Sequence, residues 1–164
     1  MRCARAPALV LALLVMAPPA SARQASGITG SSIGGIHLGA TQAHARALMT
    51  KPVHLDRLEA GYVRLVSARE KLETYFRYDT KGVTVVTTWN RALTTREGIG
   101  PCSTVTALKR AYGSRLVPFR HGGRVVAYRL GSLIFTVEGG KRVGVVALGR
   151  GAAAYVALSA TECS

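Results

Sequence analysis

One pattern occurs twice in this chain, about 60 residues apart. Each copy opens with a short stretch of small, hydroxyl and apolar residues, at 36–49 in the first copy and 99–113 in the second. Short β-like runs separated by turn residues follow each stretch. A duplication constrains the fold more than composition does, because both copies must form the same supersecondary unit.

Both opening stretches have the features of short helices. Thr41 or its neighbour in the first copy, and Ser103 or Thr104 in the second, are the predicted N-caps, since a hydroxyl oxygen can accept from free N–H groups of the first turn. Gly113 is a typical C-terminal stop. Each helix presents one narrow apolar face. In the first copy it consists of Ala45, Leu48 and Met49, and in the second copy of Val105, Leu108 and Tyr112.

Alternating residues predict strands at 75–78, 83–89, 133–137 and 143–148, with Trp89 in the core. Turn-forming residues connect the strands at 79–82, 121–123, 131–132 and 138–141. Tight turns between alternating strands indicate antiparallel meanders. We therefore predict an α+β fold, in which two α-β-β-β units place short helices on a shared antiparallel sheet.

The segment 67–73 fits two structures. Its helix-forming residues and capping-box spacing suit a helix, whereas its position suits a hairpin turn that enters a strand. The second copy has a clear strand at the matching place, so we favour the hairpin turn.

The N-terminus has the features of an export signal. Arg2 and Arg5 precede an apolar run of ten residues, 8–17, and small residues at 20–22 suit signal peptidase. A bilayer-spanning helix needs about 20 apolar residues, so an uncleaved anchor is the weaker alternative.

These features divide the chain. We predict a signal peptide at 1–22, a flexible Gly/Ser-rich leader at 23–35 and a single domain at 36–164. Within the domain, unit one covers about 36–90, unit two covers about 98–149 and the tail is 150–164. We expect the mature chain to be secreted or to lie in the periplasm or cell envelope, with no stable membrane span.

Two cysteines remain after cleavage, Cys102 and Cys163. An even number of cysteines in an exported protein predicts a disulfide. The alternative is a reactive thiol at Cys102, because a helix N-terminus favours the thiolate.

The mature chain is strongly basic. Removing Arg2 and Arg5 from the 22 basic residues leaves 20 against eight acidic ones, a net charge of +12. Such a balance favours anionic partners, although solubility and base composition explain it equally well. The candidate partner-binding residues lie in or beside predicted turns: Lys81, Arg120, Arg124 and Lys141.

Motifs for catalysis, cofactors or metals are not found. The four histidines lack metal-ligand spacing, and the carboxylate pairs at 56/59 and 70/73 lie among arginines and suit solvated charge. Capping accounts for Ser103 and Thr104. Aromatic and basic residues interleave only at 75–78, so nucleic acid is not an expected partner. An unrecognised hydrolase remains a weaker alternative.

The two openings resemble a known family. The first opening is similar to that of the BamE/SmpA-like family at Ile36, 38–41, Ala45 and Leu48. The second opening resembles it again at 98–100, 103–105, Leu108 and 112–113. That family shares its helix-on-sheet fold with β-lactamase inhibitor protein, in which two such units share a sheet. The resemblance implies a non-catalytic scaffold or inhibitor.

Together these features predict an exported, non-enzymatic binding module that engages a protein or an anionic envelope polymer. The alternative is a proteinaceous inhibitor of a secreted hydrolase, which would present the turn at 79–82 or at 138–141. Neither turn carries an aromatic tip.

We expect the exported protein to begin at Arg23. Mass spectrometry of the culture medium or periplasmic fraction will measure the N-terminal residue. Recovery of the full-length chain in the membrane fraction would contradict the signal-peptide interpretation.

Overall fold

The computed structural model describes residues 27–50, 52–58, 61–79, 82–149 and 163. The predicted signal peptide, residues 23–26 and nearly all of the tail lie outside this part of the chain. The helices are α1 at Gln42–Leu48 and α2 at Val105–Tyr112, which a 3-10 turn at Gly113–Arg115 follows. The strands are β1 Ser32–Ile33, β2 Ile36–His37, β3 His54–Leu58, β4 Tyr62–Ser67, β5 Leu72–Arg77, β6 Val83–Thr88, β7 Val117–His121, β8 Arg124–Leu130, β9 Leu133–Glu138 and β10 Arg142–Gly149.

Eight of these strands form one antiparallel sheet, in the order β3-β4-β5-β6-β10-β9-β8-β7. Strands β3 to β6 form one meander and β7 to β10 form another. The two meanders meet where β6 pairs with β10, from Thr88↔Val146 to Val85↔Gly149. Strands β1 and β2 form a separate hairpin.

The predicted fold class is wrong. We expected an α+β protein of two α-β-β-β units, whereas the described residues are mostly β, with one large sheet and one small one. The helices contain only seven and eight residues. Each meander has four strands rather than three.

The predicted strands correspond to β5, β6, β9 and β10, and two of the strands without a prediction, β3 and β7, lie at the edges of the large sheet. Every residue of β7 is exposed, and Pro118 interrupts its sequence. Every residue of β3 is exposed or half-buried as well. An edge strand does not need an apolar face, and proline within a run argues against a central strand, so residue alternation could not reveal these strands.

Another missed element, the β1–β2 hairpin, starts inside the predicted leader. Of that leader the structure describes residues 27–35, in which Ile28 and Ile33 are 1% and 0% exposed. Both side chains belong to the main hydrophobic core. This part of the leader is therefore part of the folded domain.

The predicted helix caps are confirmed. Thr41 Oγ1 accepts from the His44 N–H at 3.2 Å, and Thr104 Oγ1 accepts from the Ala107 N–H at 3.1 Å. Gly113 follows α2 with φ of +52°, a conformation that glycine adopts without strain.

Both helices lie on one face of the large sheet and contribute to the core. Ala45 and Met49 of α1 and Leu108 and Tyr112 of α2 are buried. The Tyr112 ring lies 6.0 Å from that of Phe135 in β9, measured between centroids. Leu48 is 42% exposed, so its predicted place on the buried face is wrong.

The turns of the second meander follow the sequence prediction. Gly122 and Gly123 connect β7 to β8, and Gly139 and Gly140 connect β9 to β10; all four have positive φ. Tight hairpin turns with positive φ at both central positions match the twist of the flanking strands. The segment 67–73 is a turn that enters β5, as favoured.

The predicted disulfide between Cys102 and Cys163 is present, with a Cα–Cα distance of 5.3 Å. Cys102 has φ of +67°, and its N–H donates to the Val143 carbonyl at 2.7 Å. The disulfide therefore attaches residue 163 to the loop that enters α2, beside β10.

We expect replacement of both cysteines by serine to lower the free energy of unfolding by about 2–4 kcal/mol, because the unfolded chain loses a long cross-link. Denaturant titration measures this change, and the reduced wild-type protein is the matched control. Ready labelling of both cysteines in the native, unreduced protein would contradict the assignment.

Candidate functional site

Positive charge is concentrated in the second meander and its helix. Residues 98–149 contain eight basic residues and one acidic residue, Glu138. All eight basic residues are exposed. We call them the basic surface: Lys109, Arg110, Arg115, Arg120, Arg124, Arg129, Lys141 and Arg142.

The first meander compensates part of its charge internally. Arg64 Nη2 lies 2.7 Å from Asp56 Oδ2, and Arg64 Nη1 lies 3.8 Å from Glu73 Oε1. The hydrogen bond with Asp56 raises the pKa of Arg64. Arg77 forms a second ion pair, at 2.7 Å from Asp79.

The basic surface has no such compensation, since none of its eight side chains forms an ion pair within the described residues. Two of its members donate hydrogen bonds to neutral backbone groups instead. Arg120 Nη1 donates to the Gly123 carbonyl at 3.2 Å, and Arg142 Nη1 donates to the Cys102 carbonyl at 3.3 Å. These bonds orient the side chains without neutralising them.

The fold brings three of the four predicted partner-binding residues to one end of the sheet. Arg120 and Arg124 flank the β7–β8 turn, and Lys141 follows the β9–β10 turn. Successive turns of an antiparallel meander alternate between its ends, so these two turns lie at the same end. Lys81 lies outside the described residues.

A groove of about 640 Å³ opens at this end. One wall is α2, the second is the start of β8, and the third is the end of β9 with its turn. We call it the β8–β9 groove; its lining residues are Val105, Lys109, Arg124, Val125, Val126, Tyr128, Val137, Gly139 and Gly140.

Lys109 and Arg124 are the charged groups of this groove. Lys109 Nζ lies 5.6 Å from the centroid of the Tyr128 ring, within the range of a cation–π contact. That contact holds the ammonium group at the groove and leaves its charge available to a ligand. Valine side chains supply most of the remaining lining.

Sequence reasoning found Arg124 but missed Lys109 and Tyr128. The helix prediction placed Lys109 beside the buried Leu108, and nothing in the sequence indicates which strand its side chain faces. Trp89, expected in the core, is half-buried just after β6.

A second cavity, of about 610 Å³, lies around Tyr112. The Tyr112 hydroxyl is hydrogen-bonded to Thr95 Oγ1 at 2.6 Å and donates to Glu97 Oε2 at 2.8 Å. Arg115 lies over the ring, 5.8 Å from its centroid. Burial, reinforced by Glu97 and opposed by Thr95, raises the pKa of Tyr112 to about 12. The bond from Tyr112 lowers the pKa of Glu97.

Metal ligands do not cluster in the described part of the chain, where no three His, Cys, Asp or Glu side chains lie together in a geometry that could hold an ion. Within the same residues, neither helix has the length and apolar character needed to cross a membrane.

Comparison of the chain with protein-family models, curated proteins and solved structures finds no match. The resemblance to the BamE/SmpA-like family and to β-lactamase inhibitor protein therefore stays a prediction.

We expect Tyr112 to ionise late in an alkaline titration and the fold to lose stability as it does. A free tyrosine ionises near pH 10, so the unfolded chain releases this proton earlier than the native one. Tyr112 thus contributes stability below about pH 10, and this contribution disappears as pH rises towards 12. Near-ultraviolet absorbance of tyrosinate in wild type and Tyr112→Phe measures the step.

The matched control for that titration is Tyr78→Phe, which removes an exposed tyrosine. The pKa of Tyr75 is also raised, mainly by burial and next by its hydrogen bond to Glu73. Its tyrosinate absorbance is the same in wild type and variant, so it cancels in the comparison. If the absorbance lost in Tyr112→Phe develops near pH 10, the assigned environment of Tyr112 is wrong.

Proposed function

We propose that the protein is an exported, non-enzymatic binding module that engages an acidic partner through the basic surface. The observation that carries this proposal is the separation of charge: eight exposed basic side chains in residues 98–149, none of them ion-paired within the described residues. A surface of this kind attracts anionic partners and raises their association rate.

The composition of the β8–β9 groove supports binding rather than catalysis. Its polar side chains are two cations and one phenol, Lys109, Arg124 and Tyr128. General acid–base or nucleophilic chemistry needs a nucleophile, a base and an orienting group within hydrogen-bond reach of one another. The described lining of the groove contains no carboxylate, imidazole or thiol to complete such a set.

The export signal supports a location in the cell envelope or outside the cell. Acidic proteins and anionic polymers both occur there, and both suit a mature chain of net charge +12. The disulfide between Cys102 and Cys163 agrees with an oxidising compartment.

A second candidate function, inhibition of a secreted hydrolase, has one observation in its favour. Val117 and Phe119 on the edge strand β7 are 51% and 44% exposed. An inhibitor binds through a central anchor that is often aromatic, surrounded by a dry rim. Such an interface would depend on apolar contact rather than on net charge.

We expect charge reversal at Arg120 and Arg124 to weaken binding to an anionic polymer or acidic protein. Affinity should fall by about tenfold or more at low ionic strength, because both residues belong to the uncompensated surface. Binding of the wild type should also weaken steeply as salt rises, since exposed charges are screened over about 8 Å at physiological ionic strength. Titration of polyglutamate against the mature protein measures both effects.

The matched control reverses Arg46 and Arg57, two exposed basic residues outside the basic surface. This variant has the same net charge, so a smaller loss of affinity shows that location matters. Circular dichroism checks that both variants remain folded. Tight binding that is indifferent to salt would contradict the proposal and favour the inhibitor.

A further inference from the structure

The β8–β9 groove lies where the pairing between two neighbouring strands ends. Strand β8 contains seven residues, but its ladder with β9 runs only from Leu130↔Leu133 to Ala127↔Thr136. The first three residues of β8, Arg124, Val125 and Val126, lie beyond the end of that ladder. They line the groove from one side, while Val137 and the Gly139–Gly140 turn line it from the other.

The ends beyond this ladder still pair with their outer neighbours, apart from one bulge. On β8, Arg124 pairs with His121 and Val125 pairs with Arg120 of β7, and the register shifts at Val126, which has no partner on β7. On β9, Val137 pairs with Val143 of β10. Residues 124–126 therefore present a strand edge that no described strand occupies. Such an edge offers backbone donors and acceptors to an added chain.

We propose that the β8–β9 groove binds a short extended peptide of a partner protein, with an acidic side chain beside apolar ones, along the free edge of residues 124–126. This inference rests on the proposed function and specifies its ligand. An extended chain advances about 3.3 Å per residue, so the free edge accommodates roughly three residues over about 10 Å.

Each part of the groove has a role in this mode of binding. The backbone of β8 supplies affinity through main-chain hydrogen bonds, as in other cases of strand addition. Lys109 and Arg124 pair with the acidic side chain of the peptide. Val125, Val126 and Val137 contact its apolar side chains, which alternate with the acidic one on an extended chain.

The apolar walls favour a peptide over a simple polyanion. A polymer of phosphate or carboxylate groups has few apolar groups to place against valine side chains, and its binding would depend on exposed cations in general. A peptide would instead depend on the two cations of the groove far more than on the others.

Strand β8 provides a matched pair of variants. Arg124 lines the groove, whereas Arg129 is exposed on the same strand and faces away from it, because Tyr128 beside it lines the groove and successive strand residues point to opposite faces. Arg124→Glu and Arg129→Glu change the net charge equally. Only the first alters the groove.

The probe is an array of seven-residue peptides in which the numbers of acidic and apolar residues vary independently. Binding of the oxidised, mature protein should require both kinds of residue. Affinity for the best peptides should fall about tenfold or more in Arg124→Glu and by about twofold or less in Arg129→Glu. Amide chemical shifts of the wild type should change at 124–126 and 137–140 when such a peptide is added.

The inference is overturned if acidic peptides bind regardless of their apolar content, or if both variants lose affinity equally. Amide shifts that change elsewhere would overturn it as well, without reliance on any variant. If polyglutamate still binds under those outcomes, the proposed binding of an acidic partner by the basic surface stands without the peptide groove. If polyglutamate, anionic lipid vesicles and all peptides fail to bind, both the proposed function and the peptide groove are wrong.

Discussion

The pairing of β6 with β10 holds the two meanders together. Four residue pairs, from Thr88↔Val146 to Val85↔Gly149, join the two strands. Even the pair nearest in sequence, Thr88 and Val146, is 58 positions apart along the chain. A one-residue slip here would move every side chain of one meander to the opposite face. Val86, Val146 and Leu148 are each 0% exposed, so burial penalises that slip strongly.

Charge is distributed unequally between the two meanders that this pairing joins. The first meander places Asp56, Arg64 and Glu73 on adjacent strands, where they form a partly shielded network. The second meander has Glu138 as its only acidic residue. Repulsion among exposed cations costs stability, and the ordered core beneath them offsets that cost. Such an arrangement is consistent with the acidic partner that we propose.

The features predicted correctly depend on local chemistry. Thr41 and Thr104 cap helices because a hydroxyl oxygen accepts from the free N–H groups of the first turn. Paired glycines form tight turns because glycine readily adopts the positive φ that these turns require. The missed features depend on the whole sheet. Strand β7 is recognisable only from its neighbour β8, and Lys109 joins the groove only because α2 lies over Tyr128. Sequence alone therefore located Arg124 but not the groove that it lines.

The loop before α2 links the stability of the fold to the geometry of the β8–β9 groove. The Val105 N–H donates to the Lys141 carbonyl at 2.9 Å, and the Cys102 N–H donates to the Val143 carbonyl at 2.7 Å. These bonds attach the start of α2 to β10 and its turn, and the disulfide at Cys102 adds a covalent attachment to the same loop. Val105 and Lys109 are carried by that helix, so the disulfide helps to position one wall of the β8–β9 groove. An oxidising environment thus favours both the folded state and the shape of the candidate site.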